Sequence, residues 1–160
     1  MTKVLMIHPD RCTGCENCVL ACVYSHEGEA RPTATRIHVY NWEREQFSVP
    51  MMCQQCDDAP CVKVCPTGAM HRADGSILVE YDQEKCIRCR MCVQACPFGN
   101  ATYDSVTNKI LKCDTCQGAP ECVAVCPNQA LEFVDYTIST RSRKKAFAMK
   151  FKDAFQEVTK

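Results

Sequence analysis

Cys12-Thr13-Gly14-Cys15-Glu16-Asn17-Cys18-Val19-Leu20-Ala21-Cys22 decides how the rest of this chain is read. Three thiols stand at intervals of three residues, and a fourth follows one helical turn after the last of them. Cysteines so closely spaced force the backbone to wrap around one corner of a compact object, with its amide N–H groups aimed at the sulfurs. The fourth stands apart, because Cys18 and Cys22 are i and i+4, roughly 6 Å apart along a helix axis that rises about 1.5 Å per residue. The pattern returns at Cys53, Cys56, Cys61 and Cys65, at Cys86, Cys89, Cys92 and Cys96, and at Cys113, Cys116, Cys122 and Cys126. The four sets use all 16 cysteines of the 160-residue chain.

Cysteine at this density would mark a disulfide scaffold in a short secreted chain. The N-terminus argues against one: it carries a single basic residue, Lys3, and only four consecutive apolar residues, Val4 to Ile7, too few for a signal-peptide core, and no twin arginine follows. A reducing cytoplasm is therefore expected, where clustered thiols mean metal. No apolar run approaches the length of a membrane span. Zinc modules pair one Cys-x-x-Cys with a second some 15–20 residues on, whereas here the third ligand sits inside the loop. The run Cys-x2-Cys-x2-Cys-x3-Cys-Pro, intact from Cys86 to Pro97, is instead an iron-sulfur signature whose fourth thiolate ligates the neighbouring cluster. One short helix then bridges two clusters and fixes the gap between them. A zinc-stabilised interaction module is the alternative from a different class.

The formal net charge is zero but unevenly spread: residues 1–136 carry 12 basic and 17 acidic side chains, and residues 137–160 carry 7 and 2. An acidic body with a basic tail argues against nucleic acid as the body's partner. Along the body, Lys3 to Ile7 reads as a strand ending in the turn His8-Pro9-Asp10, and Arg36 to Trp42 pairs with Gln46 to Val49 as a hairpin around Glu43-Arg44-Glu45. Two more hairpins are expected, from Ala69 to Arg72 with Ile77 to Tyr81, and from Ala101 to Tyr103 with Lys109 to Lys112. Ala130 to Val134 is a strand able to pair with the first. Beneath this lies an internal repeat. Cys53 to Pro66 matches Cys113 to Pro127 with one inserted residue, and Cys12 to Cys22 matches Cys86 to Cys96 without gaps. Pro66, Pro97 and Pro127 follow the last cysteine of their sets and stop the short helix, whereas Val23 holds that place in the first set and predicts a different local path there.

No competing catalytic constellation is present. There is no Gly-rich phosphate loop, and His8, His26, His38 and His71 show no ligand spacing and read as a turn residue and solvated surface residues. With every cysteine committed to a full ligand set, no iron keeps an open position for substrate. The expected chemistry is outer-sphere electron transfer by a non-catalytic subunit.

The order of the four sets, the phrase Ala59-Pro60-Cys61-Val62-Lys63-Val64-Cys65-Pro66-Thr67-Gly68-Ala69 and the phrase Cys96-Pro97-Phe98-Gly99 make residues 3–136 resemble the iron-sulfur subunits of the dimethyl sulfoxide reductase type. That family includes the polyferredoxin subunits of formate dehydrogenase, formate hydrogenlyase, carbon monoxide dehydrogenase and tungsten-dependent aldehyde oxidoreductase. The resemblance implies an α+β fold over residues 1–136, two tandem bacterial-ferredoxin-like halves with short strands and helices around four cubane 4Fe-4S clusters in a row. It also implies the wiring: Cys12, Cys15 and Cys18 with Cys126; Cys113, Cys116 and Cys122 with Cys22; Cys53, Cys56 and Cys61 with Cys96; and Cys86, Cys89 and Cys92 with Cys65. Some relatives replace one cysteine and hold a three-iron cluster; this chain replaces none. The implied partners are a molybdenum or tungsten catalytic subunit, with aldehyde oxidoreductase the best single choice and hydrogenase or carbon monoxide dehydrogenase the alternatives, and a second redox subunit or soluble carrier. Without an anchor, a cytoplasmic complex is expected rather than a membrane-bound quinone reductase.

Residues 137–160 read as a basic amphipathic helical tail. Phe147, Phe151, Ala154, Phe155 and Val158 fall on one helical face, and Ser142 is a fair N-cap. Arg141 to Lys145 run against the helix dipole, which points to an acidic partner surface. Docking on another subunit, further copies of this chain included, is favoured over packing on its own body or lying on a membrane surface.

Overall fold

The computed structural model describes residues 3–72 and 75–136, together with Lys145, Ala148 and Met149. Phe147, Phe151 and Phe155, which define the expected tail helix, lie outside the described residues. The chain runs β1 (Lys3–Ile7), α1 (Asn17–Glu27), β2 (Ile37–Trp42), β3 (Phe47–Met52), α2 (Pro60–Lys63), β4 (Met70–Arg72), β5 (Val79–Tyr81), α3 (Met91–Ala95), β6 (Ala101–Asp104), β7 (Lys109–Lys112), α4 (Glu121–Ala124) and β8 (Leu131–Asp135). This is a mixed α/β arrangement of short elements whose loops and helices, rather than strands, carry the thiols, with Cys18, Cys22, Cys61, Cys92 and Cys122 on the helices.

Four two-stranded antiparallel sheets result. β1 pairs with β8 from Lys3 opposite Asp135 to Ile7 opposite Leu131, so the two ends of the body lie side by side. The other three are the expected hairpins, β2–β3, β4–β5 and β6–β7. Several strand ends shift by one residue from the sequence reading, and two shift by more. β3 continues past Val49 to Met52, with Pro50 opposite Val39; a two-stranded sheet has no further neighbour on that edge for the missing N–H to serve. β5 begins at Val79 rather than Ile77.

The helices differ for a reason visible in the sequence. α2 and α4 stop two residues short of Cys65 and Cys126, and α3 stops one short of Cys96, each cysteine preceding a proline. α1 has Val23 in that position and runs on through Cys22 to Glu27, where Gly28 in the left-handed conformation (φ 69°) closes it by donating its N–H to the Tyr24 carbonyl. The extra turns are enough to bury Val23 completely. No helix among the described residues is long and apolar enough to cross a membrane.

Helix α1 packs against α4, and α2 against α3. One apolar core gathers Val19, Ile37, Met52 and Leu131 around Cys18, Cys22, Cys113 and Cys122. A second gathers Ala59, Met70, Val79 and Ile110 around Cys92. Both are small, and thiols make up much of the first.

An ion pair fastens the segment after α1 to the β6–β7 turn. The Asp104 carboxylate, 4% exposed, accepts from Arg31 Nη1 at 2.8 Å, from the Val106 and Thr107 N–H groups at 3.1 and 3.3 Å, and from the Thr107 hydroxyl. Burial pushes its pKa up, but the Thr107 and Arg31 donors outweigh it and hold the carboxyl at about 2. The substitution Asp104→Asn keeps the shape and removes the charge. It is expected to lower the melting temperature by about 5 °C with iron content unchanged, since Asp104 lines none of the cysteine cavities described below. An unaltered melting curve would show that the pair is idle.

Candidate metal centres

The cysteine loops are built from backbone in the left-handed region. Gly14 and Glu16 have φ 69° and 59°, and in the third loop Arg88 and Arg90 both have φ 61°. Alternating such residues with right-handed ones turns successive N–H groups toward one side, a concavity suited to negative charge. Gly14 is required for space as well: a Cβ there would lie 2.6 Å from Asn41 Oδ1 and 2.8 Å from Ser48 Oγ, because hairpin β2–β3 closes over the loop.

Four cavities between them take in all sixteen cysteines. The first is lined by Cys12, Cys15, Cys18 and Cys126; the second by Cys113, Cys116, Cys122 and Cys22; the third by Cys53, Cys56, Cys61 and Cys96; the fourth by Cys86, Cys89, Cys92 and Cys65. They are called here the Cys12, Cys113, Cys53 and Cys86 sites. Every site takes three thiols from one set and the fourth from a different set. The packing of α1 on α4 and of α2 on α3 is what delivers that fourth thiol.

Electrostatics show what these sites lack as bare protein. Burial pushes the Cys18 thiol up to about 12, and Cys12, Cys15 and Cys126 push in the same direction. Cys56 is raised by burial and then by Cys53, Cys96 and Cys61, and Cys122 by burial and then by Cys113, Cys116, Cys22 and Cys18. Four thiols this close cannot ionise together unless a multiply charged cation sits among them, which iron supplies. The donor set therefore fits a 4Fe-4S cluster in each site. Backbone donors complete the fit: the fourth cysteines accept N–H groups at Sγ from Arg36 onto Cys22 (3.4 Å), Met70 onto Cys65 (3.3 Å), Asn100 onto Cys96 (3.3 Å) and Ala130 onto Cys126 (3.2 Å). Three of these donors lie four or five residues after their cysteine, just past the proline. Arg36 is 14 residues on, because α1 carries the chain away first.

His26 corrects the reading of the histidines as solvated. Its side chain is 13% exposed, with Nε2 3.1 Å from Asp114 Oδ1 and Nδ1 2.8 Å from the Cys22 carbonyl oxygen. The hydrogen bond with Asp114 raises its pKa, with Cys22 assisting, to about 10. Asp114 is pushed up by burial but held at about 2 by His26 and the Cys116 N–H. The pair thus clasps the end of α1 to the fourth cysteine loop beside the Cys113 site. The i+4 spacing from Cys22 to His26, extending the helix one turn, was the available signal. His8 and His71 also have partners, with Nε2 3.1 Å from Glu132 and 3.6 Å from Glu80. His38 is half-buried, which lowers its pKa.

Residues 44–136, more than half of the chain, match the 4Fe-4S dicluster domain family, and residues 9–25 match a 4Fe-4S binding domain. An iron-sulfur protein of Rhodospirillum rubrum is 36% identical over 169 residues, covering 88% of each chain. The polyferredoxin-like subunit of the aliphatic sulfonate oxidoreductase of Pyrococcus furiosus is 40% identical over 125 residues, 76% of this chain and 70% of that one. A subunit of the anaerobic dimethyl sulfoxide reductase of Escherichia coli is 36% identical over 146 residues, 79% of this chain and 70% of its own length. With sixteen cysteines placed to fit four 4Fe-4S clusters, the chain belongs to the iron-sulfur electron-transfer proteins of the dicluster family to which these subunits are similar.

Proposed function

We propose that this protein is the non-catalytic electron-transfer subunit of a cytoplasmic oxidoreductase complex, its four sites forming one conducting row. The observation that carries the reading is the composition of the cavities, each lined by three cysteines of one set and one of another. The sixteen cysteines are its iron ligands in those groupings, and residues 1–136 form two tandem ferredoxin-like halves. Bound 4Fe-4S clusters supply one-electron, outer-sphere chemistry. The protein's part is to fill every coordination position with thiolate, which leaves none for substrate, and to exclude water with the two apolar cores. The order of the row is read from the chain segments that the sites share. Helix α1 carries Cys18 of the Cys12 site and Cys22 of the Cys113 site, and Lys112, next to Cys113, lines the Cys53 site while Met52, next to Cys53, lines the Cys113 site. The Cys113 and Cys53 sites are thus inner, and the Cys12 and Cys86 sites terminal, each with one exposed ligand, Cys15 or Cys89.

Terminal sites with exposed ligands suit two redox partners. The favoured catalytic partner is a molybdenum or tungsten subunit of the aldehyde oxidoreductase type, in keeping with the similarity to a polyferredoxin-like oxidoreductase subunit; the second is a redox subunit or soluble carrier. We propose in addition that residues 137–160, whose sequence carries the basic amphipathic pattern, dock on another subunit or on a further copy of the chain. Anaerobic purification of the full chain and of residues 1–136 tests the whole reading. Both forms should be brown with about sixteen iron and sixteen sulfide per chain, and only the full chain should enter a larger complex by size-exclusion chromatography with light scattering. A colourless protein with about four zinc would sink the reading in favour of a zinc module; an undiminished complex from the truncated chain would remove the tail's role.

A further inference from the structure

The repeat places two residues in equivalent positions with different charge. Met52 directly precedes Cys53, and Lys112 directly precedes Cys113. In the structure they are exchanged between sites: Met52 lines the Cys113 site, and Lys112 lines the Cys53 site. Both are buried, at 1% and 6% exposure. Lys112 Nζ donates to the Val79 carbonyl at 2.6 Å and to the Cys113 carbonyl at 2.9 Å. Gln55 joins the same network, donating to the Cys113 carbonyl at 3.2 Å and accepting from the Val79 N–H at 2.8 Å. Two neutral carbonyls are poor compensation for a buried ammonium group, which is costly to desolvate without an opposite charge nearby. Salt bridges to Lys112 are absent among the described residues; the thiolates of the inner sites are the negative charge that the geometry offers it.

We infer that Lys112 sets the reduction potential of the Cys53 site above that of the Cys113 site, by holding a buried positive charge where the repeat holds the neutral thioether of Met52. The inference rests on the electron-transfer reading above. A one-electron reduction at the Cys53, Cys56, Cys61, Cys96 set adds one negative charge there, and the electron departs to an adjacent site on reoxidation. Lys112 contributes neither electron nor proton; its fixed charge favours the reduced form. The two inner sites, otherwise related by the repeat, are thereby made unequal, and the centre of the row gains a step that holds an electron on the Cys53 side. Lysine is a signal that the sequence displayed, as the one residue of that repeat position able to carry charge.

The test is an anaerobic redox titration of the iron-loaded full chain, with dithionite as reductant and electron paramagnetic resonance as readout, on wild type, K112M, K112Q and K112R. The signal of the Cys53 site is assigned as the one lost in C53S. In K112M and K112Q the reduced-to-oxidised ratio of that site at a fixed potential should fall at least tenfold, a 59 mV downward shift for a one-electron centre. The Cys113 site should move less and the terminal sites not at all, while K112R should keep the wild-type value. Sixteen iron with unmoved potentials in K112M overturns the inference and leaves the electron-transfer reading intact; no iron in the wild type overturns the reading itself. Loss of iron from all three variants, K112R included, would assign Lys112 a purely structural part and overturn the inference too.

Discussion

Removing the iron is expected to unfold this protein outright. The two apolar cores contain few large side chains, and four of the eight residues in the first are the thiols Cys18, Cys22, Cys113 and Cys122. Strands contribute little alone, because every sheet is two-stranded and such hairpins are marginal in water. Structural metal binding is worth on the order of 10 kcal/mol per site in small metallo-domains, against a total folding free energy of roughly 5–15 kcal/mol for an ordinary domain. Four sites thus outweigh everything else. Chelation under anaerobic, reducing conditions should abolish the far-ultraviolet circular dichroism of the strands and the cooperative melting transition, and both should return on reconstitution with iron and sulfide. An apo form that still melted cooperatively would mean that the apolar cores suffice without metal.

The second large effect concerns which site a given thiol serves. Replacing Cys126 should damage the Cys12 site, although Cys126 belongs by sequence to the set of Cys113. C126S is expected to resemble C12S in its paramagnetic resonance spectrum, with iron reduced from about sixteen to about twelve per chain or one centre altered in kind. C22S should conversely resemble C113S. The cavity geometry motivates the expectation: Cys126 lies with Cys12, Cys15 and Cys18, and Cys22 with Cys113, Cys116 and Cys122. A C126S spectrum matching C113S would mean that each set closes on its own iron.

Much of this architecture is legible in the sequence because its cause is local. Cysteine spacing marks the loops, and the alternation of apolar residues between them marks three hairpins and the β1–β8 pair with errors of one to three residues at their ends. Pro50 hides the true end of β3, since proline ordinarily ends a strand and only the absence of a neighbouring strand permits it here. Val23 announces a departure from the other three sets, but not the continuation of α1 to Glu27. That continuation brings His26 onto Asp114, 88 residues away, a contact set by tertiary packing rather than by any local pattern. Burial of Lys112 is hidden for the same reason, because its acceptors lie on β5 and on its own neighbour. The left-handed loop residues Glu16, Arg88 and Arg90 carry no glycine to announce them.

The pairing of β1 with β8 has a consequence in time rather than in space. Lys3 to Ile7 leave the ribosome well before their partners Leu131 to Asp135, from which more than a hundred residues separate them. At synthesis rates of about 5–20 residues per second, the first strand and the thiols that follow it wait roughly 6–26 s for β8 to be made. Residues 53–96, by contrast, form a contiguous stretch containing every cysteine of the Cys53 and Cys86 sites. Maturation is therefore expected to begin with the Cys53 and Cys86 sites, and the thiols Cys12 to Cys22, made before them, to be covered only after β8 arrives.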